Sequence, residues 1–145
     1  MNTFRHNIYK KSLIQIFMNT KTTEGVKISV QPIFNKKLSF IEENSFVFEY
    51  YITIQNSNSE KVQLLSREWY VYDTLGESST IKGLGVIGEQ PILKMNETHS
   101  YKSYSELKSE MGYMEGFYTF INLETQKKFK VNIPRFMLIF PGKLN

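Results

Sequence analysis

In the stretch Phe46-Val47-Phe48-Glu49-Tyr50-Tyr51-Ile52-Thr53-Ile54, every second residue from Phe46 is aromatic or branched aliphatic. A period of two places Phe46, Phe48, Tyr50, Ile52 and Ile54 on one face of a β-strand. The opposite face carries Val47, Tyr51 and Thr53, an apolar set for a surface turned to water. Asn56-Ser57-Asn58-Ser59 follows and marks a turn.

The same patterning extends in both directions. Val26, Ile28, Val30 and Pro32 alternate with Lys27, Ser29 and Gln31. Residues 62–73 form another long strand candidate, containing Trp69-Tyr70-Val71-Tyr72. Shorter candidates lie at 79–82, 85–87, 92–94 and 98–104. Residues 114–123 and 128–133 form a hairpin across Glu124-Thr125-Gln126-Lys127, and 135–140 extend it beyond Pro134. Only residues 105–111 look helical, for a turn or two. Short strands with turn signals about every 8–12 residues predict an all-β antiparallel sandwich of seven to eight strands, immunoglobulin- or fibronectin-type-III-like, with Trp69 in the core.

The composition fits one soluble domain of 145 residues, 41% hydrophobic, 22% charged and 14% aromatic. There is no cysteine, which removes disulfides, thiolate metal sites and a cysteine nucleophile, and suits the cytoplasm. Of 14 acids only Asp73 is an aspartate, and there are two histidines, so a site rich in Asp or His is excluded. Arg5, Lys10 and Lys11 supply most of the net charge of +4 from within residues 1–17. The remaining near-neutral body lacks the one-sided field that nucleic acid requires. Lys36-Lys37 and Lys127-Lys128-Lys130 read as a solvated strand end and a hairpin turn. The N-terminal apolar run is broken by Gln15 and falls short of a signal peptide or a membrane span. Met18-Asn19-Thr20 repeats Met1-Asn2-Thr3, making Met18 a second candidate start. The expected organisation is a flexible extension over residues 1–25 and a sandwich domain over residues 26–145.

Gly83-Leu84-Gly85-Val86-Ile87-Gly88 is a literal G-x-G-x-x-G. A dinucleotide fold uses those glycines to open a helix whose N–H groups hold pyrophosphate. Here Glu89-Gln90-Pro91 follows: Glu89 repels a phosphate and Pro91 falls in the first turn or just beyond. A nicotinamide or flavin enzyme is excluded. In a sandwich the glycines supply positive φ or close backbone approach. Gly83, Gly85 and Gly88 remain candidates for a different anion site, built from backbone N–H groups and taking pyrophosphate or a nucleotide. Glu89, Glu97 and His99 are weak candidates for a hydrated divalent cation, with no tight-site spacing. There is no G-x-S-x-G and no carboxylate pair with general acid or base character, so no enzyme is expected. Arg67 and Trp69 share a strand face and are of interface-enriched types. Val47, Tyr51 and Arg67 are therefore the candidate interaction surface, for an unidentified protein partner or a second copy of the chain.

Taken in order, several stretches resemble the ApaG domain family. They are residues 46–50, 52–54 and 62–67, then Gly83-Leu84-Gly85-Val86-Ile87-Gly88-Glu89-Gln90-Pro91, Gly112-Tyr113-Met114-Glu115-Gly116-Phe117-Tyr118 and Ile133-Pro134-Arg135-Phe136. The resemblance covers the chain from about Val26 onward. It implies a fibronectin-type-III-like sandwich and a bacterial stand-alone protein linked to cobalt resistance and magnesium efflux without being the transporter. Similar eukaryotic domains attached to F-box and polymerase-associated proteins imply a protein-interaction module. The family's pyrophosphate-binding proposal carries over to Gly83, Gly85 and Gly88. Glu68 stands where the family usually has His, Leu84 where Glu is common, and Met95-Asn96-Glu97 where it has a Pro-Gly-Glu turn. The substitution at Glu68 removes any metal or anion role of that His.

Overall fold

The computed structural model describes residues 18–144. Nine strands are formed among them: β1 (Asn19–Thr23), β2 (Val26–Phe34), β3 (Phe46–Asn56), β4 (Val62–Asp73), β5 (Ser79–Leu84), β6 (Ile92–Leu93), β7 (Thr98–Leu107), β8 (Met111–Asn122) and β9 (Lys128–Ile139). Short 3-10 turns lie at Ile41–Glu43 and Pro141–Leu144. All pairings are antiparallel. One sheet has the order β1-β2-β3-β7; the other has β5-β4-β8-β9, with β6 also beside β4. The β-sandwich expectation holds, with nine strands in place of seven to eight; β1 is the strand that no candidate covered. No helix among the described residues is long and apolar enough to cross a membrane.

The inner faces follow the alternation. Val26, Ile28 and Val30 of β2 and Phe46, Phe48, Tyr50, Ile52 and Ile54 of β3 are buried. They meet Trp69, Tyr118, Phe120, Phe136 and Leu138 from the other sheet. Trp69 sits at the centre, its ring edge-on to Tyr118 and Phe136 and tilted against Tyr50 at 5.5 Å between centroids. Edge-to-face packing suits the ring quadrupoles and adds to the burial of apolar area.

Three expectations are corrected. Residues 105–111 are not helical: β7 continues to Leu107, Ser105 pairs with Phe48 and Leu107 with Phe46, and a turn at 108–110 leads into β8. The inward positions Ser103 and Ser105 carry no apolar signal, so the strand is held by pairing with β3. Residues 85–87 are a turn and not a strand. The sandwich begins at Asn19 and not at Val26, because β1 folds back on β2 through a two-residue turn at Glu24 (φ 46°) and Gly25 (φ 78°). That geometry is a type I′ hairpin turn. Residues 1–17 of the expected extension lie outside the described residues.

Candidate functional site

The glycine motif closes the edge of β4. β4 shifts register between Leu64 and Ser66. This bulge turns Arg67 to the inner side with Trp69, and opposite Arg67 stands Gly83 of β5. A Cβ on Gly83 would lie 2.8 Å from Arg67 Nη1 and 2.9 Å from its Cζ. Glycine here leaves the guanidinium room to reach the loop. Arg67 Nη1 donates to the carbonyls of Leu84 at 2.9 Å and Gly85 at 2.8 Å.

The next residues are bound as tightly. The Gly85 N–H donates to Leu65 O at 2.8 Å. Gly85 has φ of 58°, and a Cβ there would land on the Glu89 carbonyl. Val86 is buried; its N–H donates to Glu89 O at 2.8 Å, and the Glu89 N–H returns a bond to Val86 O at 3.0 Å. Between them Ile87 (φ 48°) and Gly88 (φ 73°) make a second type I′ turn. Nothing lies within 4 Å of the Cβ position on Gly88. Gly83 thus makes room for Arg67, Gly85 allows close backbone approach, and Gly88 supplies positive φ.

Behind Arg67 lies a group of phenols. Tyr101 and Tyr118 hydrogen-bond hydroxyl to hydroxyl. Burial pushes both far above the ordinary tyrosine range, and raises Tyr50 as well. These hydroxyls stay protonated and act as structural bonds.

His99 Nε2 stands 3.7 Å from Glu89 Oε2, so two of the three weak metal candidates meet. Glu97 Oε1 instead accepts the Lys94 N–H at 3.0 Å, within its own turn. No group of three or more metal-ligating side chains forms among the described residues.

The interaction candidates separate. Val47 and Tyr51 lie on the outer face of β3, whereas Arg67 belongs to the other sheet and is turned inward. What joins Tyr51 on its face was not predicted. Lys102 of β7, paired with Tyr51, lies over the rings of both Tyr51 and Tyr104, at 5.8 and 5.6 Å from their centroids. Tyr51 is 40% exposed, Tyr104 47% and the neighbouring Ile33 of β2 43%. The Tyr51 hydroxyl donates to Glu49 Oε2 at 3.0 Å, which raises its pKa. The signal is the alternation of Ser100, Lys102 and Tyr104 within the strand candidate 98–104, which puts all three on one face.

The outer face of the five-stranded sheet is aromatic too, and two of its cations are paired with glutamates while Lys130 lies 4.4 Å over the Phe117 ring. Tyr72 stacks on Tyr113 at 4.9 Å, and the Arg135 guanidinium covers Tyr113 at 4.1 Å. Arg135 also holds Glu115 with two bonds, of 2.9 and 3.1 Å, and Lys82 pairs with Glu68 at 3.0 Å.

Comparison with known proteins places these features in context. The family model described as the ApaG domain matches residues 36–122. Protein ApaG of Vibrio cholerae serotype O1 is 41% identical over 120 residues, covering 83% of this chain and 94% of the relative. Protein ApaG of Proteus mirabilis is 36% identical over 124 residues, covering 86% and 98%. Among solved structures, the putative ApaA protein from Bordetella pertussis superposes with a TM-score of 0.76 at 33% identity, covering 84% of this chain and 95% of that one.

Proposed function

Because the chain belongs to the ApaG domain family, we propose that it is a non-enzymatic, cytoplasmic protein-interaction module of fibronectin-type-III-like architecture. Its partner works in divalent-cation homeostasis, as the link of similar proteins to cobalt resistance and magnesium efflux suggests. The observation that carries this reading is the Tyr51–Lys102–Tyr104 group on the outer face of the four-stranded sheet, with Ile33 beside it. Tyrosines held in place but left exposed offer large contact area at little cost in rotamer entropy. The glycine loop supports the same reading, since the Gly85, Val86 and Glu89 amides are already bonded within the chain. No cofactor is required.

The test is complementation. In cells lacking the gene, the wild-type chain restores the parental response to cobalt. The Ile33→Ser/Tyr51→Ser variant truncates two exposed side chains on the outer sheet face, so it stays folded yet fails to restore that response. Gly88→Ala restores it. A folded Ile33→Ser/Tyr51→Ser variant that complements in full overturns the proposal.

A further inference from the structure

Among the described residues the sandwich has four sheet edges, and three are protected. β1 has only five residues, and β5 has six before it enters the glycine loop. β9 is long, but Pro134 lies within it, its register shifts opposite Met114 and Gly116, and its Asn132 N–H is taken by Thr23 Oγ1 at 3.2 Å. β7 is different. It runs ten residues from Thr98 to Leu107 without proline, glycine or register shift, and among the described residues it pairs only with β3. Natural edges avoid self-pairing by being short, bulged or interrupted. β7 uses none of these devices, and its lysine lies back over Tyr51 and Tyr104.

Which backbone groups β7 offers follows from β3. Val47 O accepts from Asn35 on the β2 side. On the other side Asn56 N–H donates to Glu97 O and Asn56 O accepts from Asn96. Backbone direction alternates along an antiparallel strand. Hence Phe46, Phe48, Tyr50, Ile52 and Ile54 bond to Leu107, Ser105, Ser103, Tyr101 and His99, their registered partners. Thr98, Ser100, Lys102, Tyr104 and Glu106 send their N–H and C=O groups outward.

We propose that two copies of this chain pair β7 to β7 about a two-fold axis, joining their four-stranded sheets into one eight-stranded antiparallel sheet. The side chains select the register. With the axis through Tyr104, each Lys102 lies opposite Glu106 of the second copy, and the two Tyr104 residues exchange backbone bonds. With the axis through Lys102, two ammonium groups face each other, which is destabilising on a sheet surface. Glu106 is held on this outer face by Ser45 and Lys108, each at 2.9 Å. An isologous contact of this kind closes on itself at two chains. It does not depend on the partner proposed above, and it is read on purified protein alone.

Light scattering coupled to size exclusion, run from low micromolar to several hundred micromolar chain, shows the mass rising from one chain to two. Lys102→Glu sets like charges against Glu106 at both symmetric positions and raises the dimer Kd by about tenfold or more. The exchange Lys102→Glu/Glu106→Lys restores it. All three proteins keep the same melting temperature at a concentration where each is monomeric. A wild-type chain that stays monomeric at the highest concentration overturns the proposal. So does a dimer indifferent to Lys102→Glu, or a folded exchange variant that stays as weak as the single one.

Discussion

Ile87 occupies the first central position of the turn between Val86 and Glu89 with φ of 48°. A β-branched side chain in the left-handed region crowds its own carbonyl, at a cost of about 1–2 kcal/mol. Type I′ turns favour Asn at this position, whose short polar side chain tolerates positive φ. Ile87 is 63% exposed, so little burial offsets the strain. Ile87→Asn should therefore stabilise the chain by about 1 kcal/mol, seen in calorimetry as a melting temperature higher by about 2–5 °C. Gly85→Val has the opposite sign. It combines positive φ with a Cβ driven into the Glu89 carbonyl, and should cost about 3 kcal/mol or more, with or without any ligand.

The elements differ in how clearly the sequence announces them, for physical reasons. β3 buries one face completely and β2 most of one, and both show it as alternation of Val, Ile, Phe and Tyr. β1, with the sequence Asn-Thr-Lys-Thr-Thr, is an edge strand with no buried residue, and only the Glu24-Gly25 turn betrays it. Residues 98–104 of β7 show as a strand, but its end hides because the inward Ser105 is polar. Residues 85–87 look like a strand because Val86 is buried and Ile87 is apolar, but the close approach of Gly85 to Glu89 bends the chain there. The end of β4 shows what a polar residue can do for an element. Asp73, the one aspartate, accepts bonds from the Lys108 N–H at 2.6 Å and from the Ser109 hydroxyl, tying β4 to the turn that enters β8. Its burial opposes the charge, yet these bonds and those from the Gly76 and Leu75 N–H groups outweigh it and hold the carboxyl below its usual range. A depressed carboxylate pKa stabilises the fold above the unfolded value of about 3.9. That stability disappears as pH falls through the lower folded value. Denaturant titrations should show Asp73→Asn about 1–3 kcal/mol less stable at neutral pH. Below about pH 4 the gap to wild type should close. A gap that persists undiminished in acid would show that the carboxylate charge is not what matters.

For the whole molecule, the arrangement of two sheets decides which candidate residues can act together. Arg67 and Tyr51 both lie on aromatic strands, but strand periodicity cannot say which sheet a strand joins, and the shift between Leu64 and Ser66 reverses the face. Arg67 is therefore turned toward the Tyr50, Tyr101 and Tyr118 hydroxyls and the loop carbonyls, while Tyr51 faces outward. The glycine motif was legible as a motif, and its backbone role was one of the readings the residues allowed. Which amides it leaves for a ligand could be settled only by the bonds to Leu65 and Glu89. Those bonds make a global prediction. Gly85, Val86 and Glu89 have no spare donor, Arg67 Nη1 is shared between two carbonyls, and the Glu89 carboxylate next to the tip repels an anion. Pyrophosphate, alone or with Mg²⁺ or Co²⁺ at millimolar concentration, should leave the melting temperature unchanged. The measurement is sensitive enough to decide. A ligand present at 100 times its Kd adds about 2.7 kcal/mol to stability, which for a chain of this size is a shift of several degrees. A shift with pyrophosphate that disappears in a variant of this turn whose melting temperature without ligand equals the wild type's would make the turn an anion sensor and move the function from the outer sheet face to the loop.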